Sequence, residues 1–318
     1  MNSINEELFS NARVLVAGDF IIDQYVEGVV ERISPEAPVP VLRKLQESFR
    51  LGGAANVAVN CQALGAKTTL LSLTGFSCYP YDLDTLLLKE GLDGKNLIVD
   101  PSIKPIIKTR FMADGHHILR VDDEEIVKMT FKTQEILIHR FLELLETVDV
   151  IVFSDYAKGF FNETILKTFI ETARKKNKII LVDPKGINYA KYRGCTLIKP
   201  NKKEAYRAAV CDTSDPIEKV AQILLEQVDP EYLLITRSAE GMSLFFKNKD
   251  VQNYPTHRKE VVDVVGAGDT ALALMAVSLA AGIGVEQAVK IANAGSSIVV
   301  TKRGCASLSV KELQEALV

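Results

Sequence analysis

Short apolar runs that end in a polar or glycine-rich turn alternate along this chain with longer stretches of helical periodicity. Arg13 to Asp19 is the first such run and reads as a buried parallel strand, with Asp19 and Asp23 just beyond its carboxyl end. Lys67 to Leu73, Asp149 to Phe153, Lys178 to Val182, Cys195 to Ile198 and Glu231 to Thr236 repeat the pattern. Between them, Gly52 to about Leu64, Asp84 to Lys89, Thr133 to Thr147, Asn162 to Lys176, Ala271 to Ala281, Ala288 to Thr301 and Ser309 to Leu317 read as helices. Such alternation predicts an α/β domain whose mainly parallel sheet is covered by helices on both faces.

Two segments break the alternation. Gln24 to Leu45 holds three prolines in the six residues from Pro35 to Pro40, which rules out a helix or a central strand. Its flanks, Tyr25 to Val30 and Val39 to Leu45, have β character. Ile103 to Met112 and His117 to Val121 are β-like runs around Ala113-Asp114-Gly115-His116, a hairpin signal. Together they predict a small β lid, about residues 20–47 and 103–122, outside the main sheet. Its uncovered edge invites pairing with a second copy, so a homodimer through the lid is expected.

Composition narrows the partners. The chain has 318 residues, 47% hydrophobic and 25% charged, with a formal net charge of −3, which gives no reason to expect nucleic acid or an anionic membrane. Cys61, Cys78, Cys195, Cys211 and Cys305 are odd in number and lack metal-ligand spacing, as in a cytoplasmic protein with reduced thiols. Met1 to Asn11 is polar and acidic, not a signal peptide. The apolar run from Ala271 to Val285 contains two glycines and falls short of the roughly 20 residues of a membrane span. No P-loop and no Gly-x-Gly-x-x-Gly after the first strand is present, so any nucleotide is held by another device.

The chemistry concentrates at Asp263 to Thr270, a glycine-bearing turn that opens into the buried helix. Unpartnered first-turn amides and the helix dipole make an anion site. Gly266 and Gly268 permit close approach of a ligand. A carboxylate at Asp269 repels that anion unless it is there to take a proton, which suits a base that deprotonates a hydroxyl beside a phosphoryl group. An acidic residue at an ordinary helix start is the competing reading. Asn201 and Glu204 fit a capping box. Lys158 and Lys185 follow two successive strands near a Gly and share one sheet edge. Adjacent His116 and His117 are not a metal pair, because neighbours on a strand face opposite sides.

Asp263-Val-Val-Gly-Ala-Gly-Asp-Thr270 resembles the second signature of the PfkB (ribokinase-like) family of sugar kinases, with Val265 where many members have Thr. Gly52-Gly53-Ala-Ala-Asn56 resembles the first signature, and Asn201 to Glu204 the family's Asn-x-x-Glu motif. Ser34 to Pro40, Lys108 to Arg110, Leu119 to Asp122, Ser154 to Gly159 and Asp183 to Gly186 resemble its heptose-phosphate kinase branch, which usually differs at Asp114, His116 and His117. The resemblance implies a ribokinase-like three-layer sandwich and ATP-dependent phosphorylation of a sugar phosphate. In that branch this is D-glycero-β-D-manno-heptose 7-phosphate at its anomeric hydroxyl; a kinase for another sugar or sugar phosphate, or a non-catalytic binding module, stays open. It puts the base on Asp269 and the anion hole on Gly266, Ala267 and Gly268. It puts sugar contacts on Gly52, Gly53 and Asn56, to which position at strand ends adds Asp19, Asp23 and Asp155; a doubly charged far phosphate on an acidic protein needs local cations, and Arg110, Arg120, Lys158 and Lys185 are the candidates. ATP falls on Asn201, Glu204, Thr236, Arg237, Ser238, Gly241 and Asn293. Mg2+ is expected at Glu204 through water, and a monovalent cation such as K+ near the glycine loop. The chain ends at Val318, so a single kinase domain, 1–318, with no nucleotidylyltransferase domain is expected.

Overall fold

The structure, a computed structural model, describes residues 6–76, 82–247, 249–256, 261–302, 304 and 306–317. Its strands are β1 (Arg13–Ile33), β2 (Pro40–Gly53), β3 (Lys67–Gly75), β4 (Leu97–Asp100), β5 (Ile107–Ala113), β6 (His116–Asp123), β7 (Val150–Ser154), β8 (Ile179–Asp183), β9 (Leu197–Ile198), β10 (Tyr232–Thr236), β11 (Met242–Phe246) and β12 (Lys249–Tyr254). Its helices are α1 (Glu6–Ser10), α2 (Ala54–Ala63), α3 (Leu83–Lys89), α4 (Phe131–Leu145), α5 (Glu163–Lys175), α6 (Lys202–Ala208), α7 (Ile217–Val228), α8 (Ala267–Ala280), α9 (Val285–Val299) and α10 (Val310–Ala316).

The central sheet runs β12-β11-β10-β9-β8-β7-β1-β3-β4 and is parallel except at β11 and β12. Successive side chains of a strand point to opposite faces. Val14, Val16, Val150 and Val152 therefore enter one core with α2, α8 and α9, while Leu15, Ala17, Ile151 and Phe153 enter another with α4, α5 and α7. This is the three-layer sandwich expected. Helix α8 is buried on every side from Asp269 to Ser278, which its nearly all-apolar sequence permits.

β1 does not stop at Asp19. Its first seven residues pair with β3 in the central sheet, and from Phe20 onward it pairs antiparallel with β2 and parallel with β5. With β6 antiparallel to β5, the lid is a four-stranded sheet, β2-β1-β5-β6. The strand continues because Phe20, Ile21, Ile22, Tyr25 and Val26 are buried in the middle of the lid. The turn at Asp114 and Gly115 has φ of 49° and 80°, the primed geometry that matches strand twist.

β4, α7, β11 and β12 are elements that the strand-and-helix pattern did not predict. β4 is four residues long, and β11 and β12 form an antiparallel edge outside the βα alternation. The buried stripe of α7, Val220, Ala221, Leu224, Leu225 and Val228, carries an ordinary helical period. Cys61 and Cys195 are buried free thiols and Cys211 is half-buried; Cys78 and Cys305, like the first residues of Met1 to Asn11, lie outside the described residues. No helix among the described residues is long and apolar enough to cross a membrane.

Candidate active site

The carboxyl ends of β7, β8, β9 and β10 and the start of α8 enclose a cleft of about 190 Å³. In an open α/β sheet this edge is where ligands bind. Gly266 enters α8 in the left-handed region, φ 81°, and lines the cleft with Gly268. Asp263 ties the turn down: its Oδ1 accepts from Val265 N and its Oδ2 from Gly304 N, both at 2.9 Å.

Asp269, in the first turn of α8, is 7% exposed. Its Oδ2 accepts from Asn56 Nδ2 at 2.6 Å and its Oδ1 from the Tyr156 hydroxyl at 2.9 Å. Burial pushes its carboxyl up to about 6; the Asn56 hydrogen bond opposes this, the Asp183 charge adds to it, and Tyr156 and Lys199 pull it back. Behind it, Asn60 Nδ2 donates to Asn56 O at 2.8 Å and Thr270 Oγ1 to Asn60 Oδ1 at 2.9 Å. This satisfied buried network locks α2 to α8 and fixes the Asp269 carboxylate. Tyr156, Asn60 and Thr270 were not expected from the sequence. The only signal for the last two was polar residues on otherwise apolar helix faces.

On the phosphate side, Lys199 is 3% exposed and its Nζ lies 3.0 Å from Asp183 Oδ2. Burial pushes the Asp183 carboxyl up, and Lys199 counters it. A methyl group at Gly268 would sit 3.7 Å from Lys199 Nζ, so this unforeseen lysine stands directly beside the glycine loop. Asn201 and Glu204 form the expected capping box. The other Glu204 oxygen accepts from Lys185 Nζ at 2.6 Å. Lys185 therefore sits with Glu204 on the phosphate side of the cleft, rather than with the lid cations. Among the described residues no group of three or more His, Cys, Asp or Glu could hold a metal. Glu204 and Asp183 suit Mg2+, which takes one or two carboxylates and completes its shell with phosphate oxygens and water.

On the sugar side, Asp23 is ion-paired with Arg110 of β5, and both are buried. A methyl group at Gly52 would lie 2.4 Å from Asp23 Oδ2, and one at Gly53 2.4 Å from Asp19 O, so both glycines are required by this packing. Two of the expected sugar contacts hold protein groups. The Asp19 carboxylate is consumed by the amides of Tyr156, Lys158 and Phe160, at 2.7, 3.2 and 3.0 Å. Asp155 accepts from Tyr192 Oη at 2.5 Å, Lys191 Nζ at 2.6 Å and Ala157 N at 2.6 Å. Each carboxylate shapes the 155–160 turn, and Asp155 also lines the cleft. Burial and the neighbouring Asp155 charge push Asp19 up to about 6 against those amides.

The lid cations form a chain. Arg120 pairs with Asp122 at 2.8 Å, Lys108 with Asp122 at 3.6 Å and Glu124 at 3.5 Å, and Lys158 with Glu124. Asp114, His116 and His117 are exposed at the tip of the hairpin.

At the end of β10, Thr236 lines the cleft and bridges to Asn201. Arg237 is held within the turn by Ser243 Oγ at 3.1 Å and by Glu240. Ser238 adopts φ 52°. Gly241 is required because a methyl group there would lie 2.0 Å from Tyr254 O. Asn293 Nδ2 donates to Pro255 O at 3.0 Å, so it holds the segment entering 257–260, which lies outside the described residues.

A sandwich with a β lid, a glycine-opened buried helix and a buried carboxylate at its first turn has the architecture of a small-molecule kinase. The pfkB family carbohydrate kinase profile matches residues 11–312, and the chain belongs to that family. It is 40% identical over 313 residues to the "Bifunctional protein HldE" of Syntrophotalea carbinolica, covering 96% of this chain and 63% of that protein. The protein of the same name from Methylococcus capsulatus is 41% identical over 311 residues, covering 97% of this chain and 64% of that protein. The chain thus spans a little under two thirds of these relatives' length. The fold matches that of Escherichia coli phosphofructokinase-2 in complex with potassium, with a TM-score of 0.78 at 19% identity over 95% of this chain and 98% of that one. Arabidopsis thaliana ribokinase complexed with ribose and ATP matches with a TM-score of 0.73 at 17% identity, over 96% of this chain and 99% of that one.

Proposed function

We propose that this chain transfers the γ-phosphoryl group of ATP to the anomeric hydroxyl of D-glycero-β-D-manno-heptose 7-phosphate, giving the 1,7-bisphosphate. The observation that carries the reading is the buried Asp269 carboxylate, held on both oxygens beside the Gly266 to Gly268 turn. The relatives named HldE and the motifs of the heptose-phosphate branch support the choice of sugar. Asp269 takes the proton of the attacking hydroxyl. The first amides of α8 and the Lys199 ammonium face the charge that spreads over the transferred group. Mg2+, when bound, shields the phosphate oxygens, with Glu204 and Asp183 as its protein carboxylates. The sugar lies against Asp23, Gly52, Gly53 and Asn56. Its far phosphate meets Lys108, Lys158, Arg110 and Arg120, where an arginine acts as a fork and a lysine as a point charge.

The same reading includes a monovalent cation such as K+ near the glycine turn, supported by the potassium complex of the phosphofructokinase-2 neighbour. It includes a cytoplasmic setting and one kinase domain over 1–318. It also includes a homodimer through the lid, supported by Ile33, Val39, Leu45, Ile118, Leu119 and Val121, which are 42–60% exposed. The test is turnover on phosphorylated and unphosphorylated heptose with Mg-ATP. A kcat/KM at least tenfold higher for the phosphorylated sugar is expected; equal values would remove the phosphate site and point to another sugar.

A further inference from the structure

Asp19 stands where β1 passes from one sheet to the other. It is the last residue of β1 paired with β3, opposite Leu73, and Phe20 is the first paired with β2. It is 2% exposed. Three backbone amides of the turn after β7 converge on its carboxylate. Oδ2 accepts from Tyr156 N at 2.7 Å and Lys158 N at 3.2 Å, and Oδ1 from Phe160 N at 3.0 Å. Three donors on two oxygens suit an ionised carboxylate, which only accepts.

Two residues of that turn reach different ends of the cleft. The Tyr156 hydroxyl donates to Asp269 Oδ1 at 2.9 Å. Lys158 Nζ pairs with Glu124, in the charge cluster of the lid. Between them Ala157 is held at φ 56°, a left-handed conformation that persists only where its surroundings enforce it. Asp19 does so from the sheet side. From the lid side, Val127 N donates to Lys158 O at 2.7 Å. The peptide groups on either side of the strained residue are thus fixed by groups distant in sequence.

We propose, on the kinase reading above, that Asp19 is a positioning residue for both ends of the sugar at once. Through Tyr156 it places a donor on the base, and through Lys158 a cation for the far phosphate. One buried carboxylate thereby fixes the spacing between base and phosphate cation. That spacing lets a phosphate held at one end present the hydroxyl correctly at the other.

Asp19→Asn keeps the shape and spoils the acceptor. With its oxygen toward Tyr156 and Lys158, the amide nitrogen faces Phe160 N–H, donor against donor; flipped, it loses the other two bonds. The variant should lower kcat about tenfold and cut the preference for phosphorylated over unphosphorylated heptose by about three- to tenfold. KM for ATP should stay nearly unchanged. Two double-mutant cycles separate positioning from mere stability. Added to Tyr156→Phe, Asp19→Asn should lower kcat by less than about twofold more, and added to Lys158→Ala it should leave the remaining preference within about twofold. If the losses multiply in either cycle, or only thermal stability falls, the proposal is wrong. A further measurement needs no variant. In the wild-type protein the amide hydrogens of Tyr156, Lys158 and Phe160 should exchange about a hundredfold more slowly than free turn amides, with and without sugar. Exchange at the free rate, or protection lost when sugar binds, would overturn it even if Asp19→Asn fails to fold. If the wild-type protein phosphorylates no sugar, the kinase reading fails first, and that assay alone tells the two failures apart.

Discussion

A buried carboxylate destabilises, in its charged form, the protein that holds it, and the proposed base Asp269 is such a group. Its carboxyl is pushed up to about 6 from an ordinary 3.8, mainly by burial. The folded state binds the proton more tightly than the unfolded chain does. Stability linked to this group is therefore fully present below about pH 4 and lost as pH rises through 6. Asp269→Asn should lower kcat by about 10² or more. Relative to wild type, its stability should rise with pH, by up to about 3 kcal/mol between pH 4 and pH 8. Paired thermal melts should show that gain shrinking toward pH 4. For the same reason wild-type kcat should fall as pH drops through about 6. A variant of unchanged stability and near wild-type turnover would remove Asp269 from the role. At the neighbouring ion pair, Lys185→Ala and Glu204→Gln should raise the KM for Mg-ATP and leave that for the sugar nearly unchanged. Loss of thermal stability alone from Glu204→Gln would mean that the capping box is its whole purpose. Asp269 and Glu204 could be singled out as candidates because each sits in a short local motif. Tyr156 was not, because 113 residues separate it from the carboxylate it bonds.

Among the elements, the lid hairpin is where the proposed preference for a phosphorylated sugar would reside. Lys108 faces Asp122 and Glu124, and Lys158 reaches Glu124 from the turn after β7, so lid and sheet share one cluster of charges. A phosphate entering there meets cations already drawn together and partly desolvated. Lys158→Ala should raise KM for the phosphorylated sugar about tenfold, or 1.4 kcal/mol, with KM for ATP nearly unchanged. An equal effect on an unphosphorylated sugar would assign Lys158 to the structure of the turn. The hairpin itself could be read in advance from Asp114-Gly115 between two β-like runs. The continuity of β1 could not, because hydrophobic alternation does not say which of two sheets a strand's second half joins. Nor did it reveal that Asp19, at the junction, spends its carboxylate on three backbone amides.

For the whole molecule, the lid leaves apolar side chains on both of its hairpins in water, and β6 is exposed from His116 to Asp122. Sedimentation at micromolar concentration should give a dimer, and Leu119→Asp should shift it toward monomer. A wild-type monomer at that concentration would leave the exposed lid without its expected partner. The sequence by itself determined the parallel α/β core, the lid hairpins and the glycine turn, and it singled out Asp269 as the candidate base. These depend on periodicity and on motifs a few residues long, where the physics is local. Tertiary structure decided the rest. It set Asp155 and Asp19 to hold a turn, Lys185 to join Glu204, Lys199 to stand beside Gly268, and Tyr156 to bond Asp269. Each of those assignments is a choice between possible partners for a buried or half-buried charge or hydroxyl. The choice is made by whichever distant group the fold brings within about 3 Å.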